Sequence, residues 1–205
     1  LAARPAVLIV DEPLAAVDVK SAERWRRFLH AARADRTTLL VTHDALDIAH
    51  LAQDMLVMES GRVRAHGATA RLLEAPPTGF VAALAGLNRL EGTVTEIGAS
   101  AVEVACGDIT VLAATEHAPL ALGQKVAVTF DPHAATLGAA PEACNQWEAR
   151  VLAVEATSLA AAQLRVDLGG HEATVPVDRE FALGVKVGNV VSLTVSKANV
   201  FVHPN

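Results

Sequence analysis

The hydrophobic pattern of the chain changes near residue 87, and this change limits the folds that the sequence can adopt. Up to that point, apolar runs such as "AVLIV" (6–10) and "TTLLVTH" (37–43) alternate with segments of helical period at 21–35 and 44–52. Strands and helices in strict alternation are typical of a parallel sheet covered by helices. The first part of the chain is therefore predicted to be α/β.

Beyond this point the helical period stops, and short alternating runs are separated by Gly, Asp or Pro. Two blocks of this region occur twice in the same order. "NRLEGTV" (88–94) matches "NQWEARV" (145–151) at an offset of 57, and "GQKVAVT" (123–129) matches "GNVVSLT" (188–194) at an offset of 65. The alternation predicts strands of a small barrel or sandwich, and the repeated blocks predict that the β module is duplicated.

These patterns predict two domains. Residues 1–87 are expected to form part of an α/β domain, with a parallel sheet and helices. Residues 88–205 are expected to be all-β, with two repeated small OB-like barrels at about 88–141 and 142–205. The difference between the two offsets places eight extra residues inside the second copy.

The chain has a net charge of −6, and the whole excess lies in the second half. Residues 1–87 carry ten basic and ten acidic side chains, whereas residues 88–205 carry seven and thirteen. This balance argues against nucleic acid as a partner of the second half. The absence of long apolar runs and of a signal-peptide pattern, and the isolated Cys106 and Cys144, predict a cytosolic protein.

The run "LIVDEP" (8–13) ends in two adjacent carboxylates, Asp11 and Glu12. Neighbouring carboxylates at the end of a half-buried strand repel each other and lose hydration unless a cation or a reaction uses them. One hypothesis is magnesium-nucleotide hydrolysis, in which the first carboxylate holds the metal through water and the second accepts a proton from the attacking water. The other is a strand end with two solvated side chains.

Two further residues bear on that choice. His43 ends the next predicted strand, and adjacent parallel strands deliver their C-terminal residues to one edge of the sheet. We therefore expect His43 beside Glu12, near the place of a terminal phosphate. Asp18 follows Asp11 by seven residues and precedes a helix, where a plain N-cap also accounts for it.

"VLIVDEPLAAVD" followed by "TTLLVTHD" resembles the second half of an ABC transporter ATPase, where these segments correspond to the Walker B strand, the D-loop and the switch-histidine loop. The resemblance implies ATP and Mg²⁺ as cofactors. It implies that Asp11 supports the metal through water, that Glu12 is the catalytic base, and that His43 senses and positions the terminal phosphate. It also implies that Asp18 acts across the interface between two ATPase subunits, which form a homodimer.

The sequence departs from this family in two ways. Ala15-Ala16-Val17-Asp18 keeps only the outline of the usual Ser-Ala-Leu-Asp of the D-loop. The 205 residues contain no G-x-x-x-x-G-K-[ST] phosphate loop and no Gly-rich signature, so the phosphates lack their backbone cradle. We expect that the sequence is truncated and that the chain alone does not hydrolyse ATP; complementation by another chain is the alternative.

The segment "FVAALAGLNRLEGTV" (80–94) and the duplicated β module resemble the TOBE, or di-molbindin-like, extension of importer ATPases, with the best match to molybdate importers. This resemblance implies an energising subunit that binds membrane permease subunits at the inner face of the cell membrane. ATP hydrolysis at a subunit interface would then drive import of molybdate or a related oxyanion.

Molbindin-type modules bind molybdate with a Ser-Ala-Arg-Asn stretch and a Lys-Ala pair. Here the first reads Glu142-Ala143-Cys144-Asn145, and the second survives as Ser196-Lys197-Ala198, so Ser196 and Lys197 are the candidate oxyanion residues. Exchanging a cation for Cys and a hydroxyl for Glu removes attraction and adds repulsion, which predicts weak or absent binding. The alternative hypothesis is a non-catalytic module that stores or senses an oxyanion, with a remnant ATPase segment.

Overall fold

The computed structural model of the chain describes residues 5–34, 36–114, 119–138, 144–158 and 160–204. The chain divides into two compact units, residues 1–85 and 86–205. The division lies two residues before the boundary predicted from the change of pattern.

The first unit begins with two parallel strands, each followed by a helix. Strand β1 (Val7–Asp11) leads to helix α1 (Val19–Ala32), and strand β2 (Thr37–Val41) leads to helix α2 (Ala45–Leu51). The strands pair in parallel, from Val7 opposite Thr37 to Asp11 opposite Val41. Their carboxyl ends therefore lie side by side at one edge.

An antiparallel hairpin and two short helices complete this unit: β3 (Asp54–Glu59), β4 (Arg62–Ala68), α3 (Thr69–Glu74) and α4 (Gly79–Leu84). The hairpin turns at Ser60 and Gly61, which both have positive φ, of 50° and 72°. Two consecutive left-handed residues form the type I′ turn that matches the twist of the flanking strands.

The second unit consists almost entirely of strands. The first copy of the repeat supplies β5 (Asn88–Ile97), β6 (Ala101–Cys106), β7 (Ile109–Ala114), β8 (Lys125–Phe130) and β9 (Ala135–Leu137). The second copy supplies β10 (Cys144–Ala156), β11 (Ala161–Leu168), β12 (His171–Asp178), β13 (Val190–Ser196) and β14 (Val200–Pro204). A short 3₁₀ helix, Pro132–Ala134 or Lys197–Asn199, precedes the last strand of each copy.

The two copies exchange their last strands. One sheet has the order β14-β8-β5-β6-β7 and the other has the order β12-β11-β10-β13-β9. Each sheet thus combines four strands of one copy with the final strand of the other. A mostly β second domain with two like halves is confirmed. The sequence predicted two small OB-like barrels, and the structure shows two five-stranded sheets, neither of which is formed by one copy alone.

The extra residues of the second copy fall in two places. Equivalent positions differ by 57 at Asn88 and Asn145, by 62 at Gly107 and Gly169, and by 65 at the glycines before β8 and β13. The residues that raise the offset from 57 to 62 lengthen the β10–β11 hairpin. The residues that raise the offset from 62 to 65 lie between β12 and β13. A short helix, α5 (Arg179–Gly184), forms there, although the sequence predicted no helix in the second part of the chain.

Buried asparagines bind each copy to the other. Asn88 Nδ2 donates to the Thr174 carbonyl at 2.9 Å, and Asn88 Oδ1 accepts from the Thr174 amide at 2.7 Å. Asn145 makes the equivalent pair with the Leu112 carbonyl, at 2.8 Å, and the Leu112 amide, at 2.6 Å. These are the asparagines that the two copies share in sequence, so their repetition reflects a reciprocal contact between the copies.

The tips of two equivalent hairpins also meet. Gly107 has φ +58°, and a Cβ added there would lie 1.8 Å from the Gly169 carbonyl oxygen. Only glycine allows this approach, because any side chain would occupy the space of the other hairpin's backbone.

The two units differ strongly in their cores. In the second unit both sheets contribute to one hydrophobic cluster, in which Phe130 is fully buried and Trp147 is 6% exposed. The main cluster described in the first unit contains Ile48, Met55, Val57 and Val81. Apolar side chains of β1 and β2 remain exposed on one face: Val7, Ile9, Leu39 and Val41.

We expect the first unit to unfold at a lower denaturant concentration than the second, because less apolar surface is removed from water in it. Each unit contains one tryptophan, Trp25 or Trp147. Fluorescence of Trp25→Phe and Trp147→Phe variants of the full chain during guanidinium titration would report the two units separately. Coincident transitions would contradict the expectation.

Candidate functional site

The candidate site lies where β1 and β2 end. Asp11 is the last residue of β1, and the Glu12 amide donates to the Val41 carbonyl at 2.9 Å, which extends the pairing by one residue. His43 follows the end of β2 by two residues. The parallel pairing therefore brings Glu12 and His43 to the same edge, as the sequence analysis expected.

Glu12 and His43 are in direct contact. His43 Nδ1 lies 2.7 Å from Glu12 Oε1. Because an ionised carboxylate only accepts hydrogen bonds, His43 donates through Nδ1. The His43 side chain is 74% exposed and that of Glu12 is 35% exposed, so the pair lies open to solvent at the edge of the sheet.

The backbone at Glu12 has an unusual conformation. Its φ is +41°, in the left-handed region that residues with a Cβ rarely occupy. This conformation costs roughly 1–2 kcal/mol and turns the chain away from the strand at the residue that reaches His43. Backbone strain at a residue with a polar side chain in a candidate site is consistent with a functional constraint.

The Glu12 carboxylate raises the pKa of His43 above its ordinary value, first through the hydrogen bond and then through charge attraction, and Asp44 adds a smaller contribution. A raised pKa means that protonated His43 favours the folded state below the ordinary histidine pKa. This contribution is lost as the pH rises through the raised value.

We expect Glu12→Gln to lower the pKa of His43, because the glutamine amide keeps a hydrogen-bonding oxygen but carries no charge. An NMR titration of the imidazole signals would measure the change. Asp44→Asn serves as the control, since Asp44 is the smallest of the contributing causes, and it should lower the pKa less. An equal or larger effect of Asp44→Asn would contradict the assignment.

Asp11 and Asp18 occupy different environments. The Asp11 side chain is exposed at the end of β1, beside Glu12. Asp18 is the N-cap of α1 and accepts from the Ser21 amide at 3.1 Å. Hydrogen bonds from Ser21 lower the pKa of Asp18 below its ordinary range, which keeps the cap ionised. The capping role of Asp18 is therefore present in the structure, and its role at a subunit interface stays a prediction.

The sequence analysis missed three polar residues next to the site, Arg26, Thr42 and Asp47. Arg26 Nε lies 2.6 Å from Asp47 Oδ1, and the Asp47 side chain is only 3% exposed. Asp47 lies three residues after the Asp44 N-cap, and the sequence shows this spacing but gives no signal that Asp47 is buried against Arg26.

The candidate oxyanion residues lie at the end of β13, in the second unit. Ser196 pairs with Cys144 across β13 and β10, which brings the two sequence elements together. Ser196 Oγ accepts from the Ala198 amide at 3.4 Å as the cap of the 3₁₀ helix, and Lys197 is half-buried. Glu142 and Ala143 of the first element lie outside the described residues.

The equivalent position in the first copy has the same geometry with other residues. There Asp131 caps the 3₁₀ helix by accepting from the His133 amide at 2.7 Å, and Pro132 stands in place of Lys197. Capping of the 3₁₀ helix thus accounts for Ser196 without a ligand. Of the two equivalent positions, 132 and 197, only the second carries a lysine.

Comparison with known proteins shows which proteins this chain resembles. The TOBE domain family matches residues 141–202. The chain is 44% identical over 96 residues to the molybdenum import ATP-binding protein ModC of Mycobacterium tuberculosis, a match that covers 46% of this chain and 26% of that protein. It is 33% identical over 210 residues to the sulfate/thiosulfate import ATP-binding protein CysA 1 of Chromobacterium violaceum, covering 98% of this chain and 56% of that protein.

A third relative is the sn-glycerol-3-phosphate import ATP-binding protein UgpC of Paraburkholderia xenovorans, 41% identical over 101 residues, with 46% of this chain and 28% of that protein covered. The chain thus spans between about a quarter and just over half of the length of these relatives. Importer ATP-binding subunits are the class that these matches share. The chain is therefore similar to the ATP-binding subunits of ABC importers, and its residues 141–202 match the TOBE domain family, as its motifs predicted.

Among solved structures, a molybdate-bound crystal structure of the cytoplasmic molybdate-binding protein ModG is similar to this chain at 26% identity, with a TM-score of 0.47. The match covers 58% of this chain and 96% of that one. No helix among the residues that the structure describes is long and apolar enough to cross a membrane.

Proposed function

We propose that the first unit carries the hydrolytic edge of an ATP-hydrolysing importer subunit. The observation that carries this proposal is the 2.7 Å contact between His43 Nδ1 and Glu12 Oε1, directly after Asp11, at the carboxyl edge of two parallel strands. Open parallel sheets bind their ligands at this edge. A base, a histidine and a carboxylate suited to a metal are therefore gathered where a nucleotide would bind.

Glu12 acts as the general base that takes a proton from the attacking water. The carboxylate retains one oxygen for this task while the other accepts from His43. Because His43 donates to Glu12 through Nδ1, only protonated His43 can also donate through Nε2 to a terminal phosphate. The hydrogen bond also fixes the direction of the base before the water arrives, which lowers the entropic part of the barrier.

The residues present fit a magnesium ion that keeps most of its water. Asp11 is an exposed carboxylate, and Mg²⁺ prefers one or two carboxylates together with water and substrate phosphates. When bound, the ion neutralises charge that develops on the transferred phosphoryl group. ATP fits only in part, because the 205 residues contain no phosphate loop, and further backbone donors must come from outside them.

We propose that the partners are a second ATPase subunit, in a homodimer, and membrane permease subunits that hold the protein at the inner face of the membrane. Asp18 would then act across the ATPase interface. Its exposed position at the start of α1 is compatible with this role, although in the single chain its carboxylate caps the helix.

The cargo that we propose is molybdate or a related tetrahedral oxyanion. The support is the similarity to relatives named for molybdenum and for sulfate or thiosulfate import. Relatives named for other substrates, such as glycerol 3-phosphate, also match over part of the chain. An uptake assay with labelled molybdate and sulfate in cells that lack and then regain this gene would separate the two cargoes.

To test hydrolysis, the chain is joined to the phosphate-binding half of a similar importer ATPase. We expect magnesium-dependent ATP hydrolysis from the joined protein and none from the 205-residue chain alone. Hydrolysis by the phosphate-binding half at the same rate without this chain would contradict the proposal.

We expect the second unit to bind molybdate weakly or not at all. Lys197 is the only cation within the two sequence elements, 142–145 and 196–198, where Cys144 stands in place of the arginine. Residues 88–205 carry a net charge of −6. Calorimetric titration with molybdate and tungstate would measure this. Micromolar binding that is lost in Lys197→Ala, but kept in the matched Lys186→Ala variant, would instead support the oxyanion storage or sensing module.

A further inference from the structure

The loop that carries His43 is attached on both sides to one buried ion pair. Arg26 of α1 and Asp47 of α2 form the pair, with Nε and Oδ1 at 2.6 Å. The Arg26 side chain is 17% exposed and that of Asp47 is 3% exposed, so the contact is shielded from water and salt. His43 itself is 74% exposed, and its surroundings give its ring little support.

Thr42, the residue before His43, is hydrogen-bonded to the ion pair. Its hydroxyl donates to Asp47 Oδ2 at 3.4 Å and accepts from the Asp44 amide at 3.1 Å. Asp44, the residue after His43, also contacts the two residues of the ion pair. Asp44 Oδ1 accepts from the amides of Leu46 and Asp47, at 2.8 and 3.0 Å, and lies 3.6 Å from Arg26 Nη2.

We propose that Arg26 and Asp47 are positioning residues that hold His43 in hydrogen-bonding distance of Glu12. The catalytic meaning of this inference rests on the proposed function, in which His43 approaches the terminal phosphate. Among the described residues, the polar partners of Arg26 and Asp47 do not include Glu12 or His43. They act through Thr42 and Asp44, the two chain neighbours of His43.

The chemistry of the pair explains why apolar packing between α1 and α2 would not serve the same purpose. A buried ion pair is costly to desolvate, and its advantage lies in selecting one geometry. Asp47 uses one carboxylate oxygen for Arg26 and the other for Thr42, and Arg26 also reaches Asp44. A pair of apolar side chains would join the helices but would leave the Thr42 hydroxyl and the Asp44 carboxylate without these partners.

The protonated nitrogen of neutral His43 gives a direct readout of its position. A free neutral imidazole prefers the proton on Nε2, whereas the contact with Glu12 requires it on Nδ1. Ring ¹⁵N shifts of the ¹⁵N-histidine-labelled full chain, recorded above the pKa of His43, distinguish the two forms. Glu12→Ala supplies the reference for a histidine without any hydrogen-bond acceptor at this position.

We expect Arg26→Met and Thr42→Val each to cause loss of the Nδ1-protonated form, towards the spectrum of Glu12→Ala. Arg26→Lys should retain part of it, because a lysine ammonium can still reach a carboxylate. Arg27→Met is the matched control, since Arg27 is exposed on the same helix, and it should match the wild type. Thr42→Val removes no buried charge, so it decides the question if Arg26→Met does not fold.

Retention of the Nδ1-protonated form in Thr42→Val, and in folded Arg26→Met, would overturn the proposal. The same result in Arg27→Met as in Arg26→Met would also overturn it, because the effect would not belong to the buried pair. This readout needs no nucleotide. A tautomer change without any hydrolysis by the joined ATPase would overturn the proposed function and leave the positioning role standing.

Discussion

Glu12→Gln should lower the rate of ATP hydrolysis by about 10²–10⁴-fold in a protein that joins this chain to the phosphate-binding half of an importer ATPase. Glutamine has nearly the shape of glutamate but cannot accept the proton of the attacking water. The loss should therefore appear in kcat, while KM for magnesium ATP changes little. Steady-state phosphate release over a range of ATP concentrations measures both.

The matched control is Glu23→Gln, which removes the same charge from an exposed position on α1. It should leave kcat within a factor of about two, since charges exposed to solvent at a distance are screened. His43→Ala should be impaired like Glu12→Gln, because it removes the partner of the base. A Glu12→Gln protein that keeps most of its activity would refute the assignment of the base.

Asn145→Ala should destabilise the second unit by about 2–6 kcal/mol, since it leaves both the amide and the carbonyl of Leu112 in the part-buried contact between the copies without their partner, at ~1–3 kcal/mol each. Asn145 is 3% exposed, so water cannot easily replace the lost hydrogen bonds. Asn88→Ala should act similarly through Thr174. A loss of this size is a large fraction of the total stability of a domain, about 5–15 kcal/mol.

Guanidinium denaturation of a Trp25→Phe background, followed by the fluorescence of Trp147, measures this loss in the full chain. The control is Gln146→Ala, next to Asn145 in β10. Its side chain is exposed and donates to Ser192 Oγ at 3.1 Å, so its removal should cost less than about 1 kcal/mol. Equal effects of the Asn145 and Gln146 substitutions would show that the buried contact between copies is not what stabilises the unit.

The candidate catalytic pair was accessible from the sequence because it depends on local pattern and on one general property of parallel sheets. The apolar runs before Asp11 and before His43 indicate strands, and strands joined by a helix run parallel. Their ends then meet at one edge. This common edge brings Glu12 close to His43. The positive φ of Glu12 also contributes to the contact, and no local sequence pattern indicates it.

The ion pair of Arg26 and Asp47 was not accessible in the same way. Arginines recur through α1, and nothing in their spacing distinguishes the one that faces α2 from those that face solvent. The choice depends on how α1 and α2 pack. Likewise, the repetition of Asn88 and Asn145 was visible, but their function was not, because the partners lie 86 and 33 residues away in the chain.

The sequence by itself indicated the mostly β second domain and its duplication, and it named the candidate site residues, because periodicity, turn residues and short motifs are local properties of a chain. Only the tertiary structure decided which sheet receives the last strand of each copy. β9 and β14 are short strands with similar apolar patterns, and either sheet edge would satisfy their backbone hydrogen bonds. Their places are decided by the buried contacts of the whole unit, which bring together residues far apart in sequence.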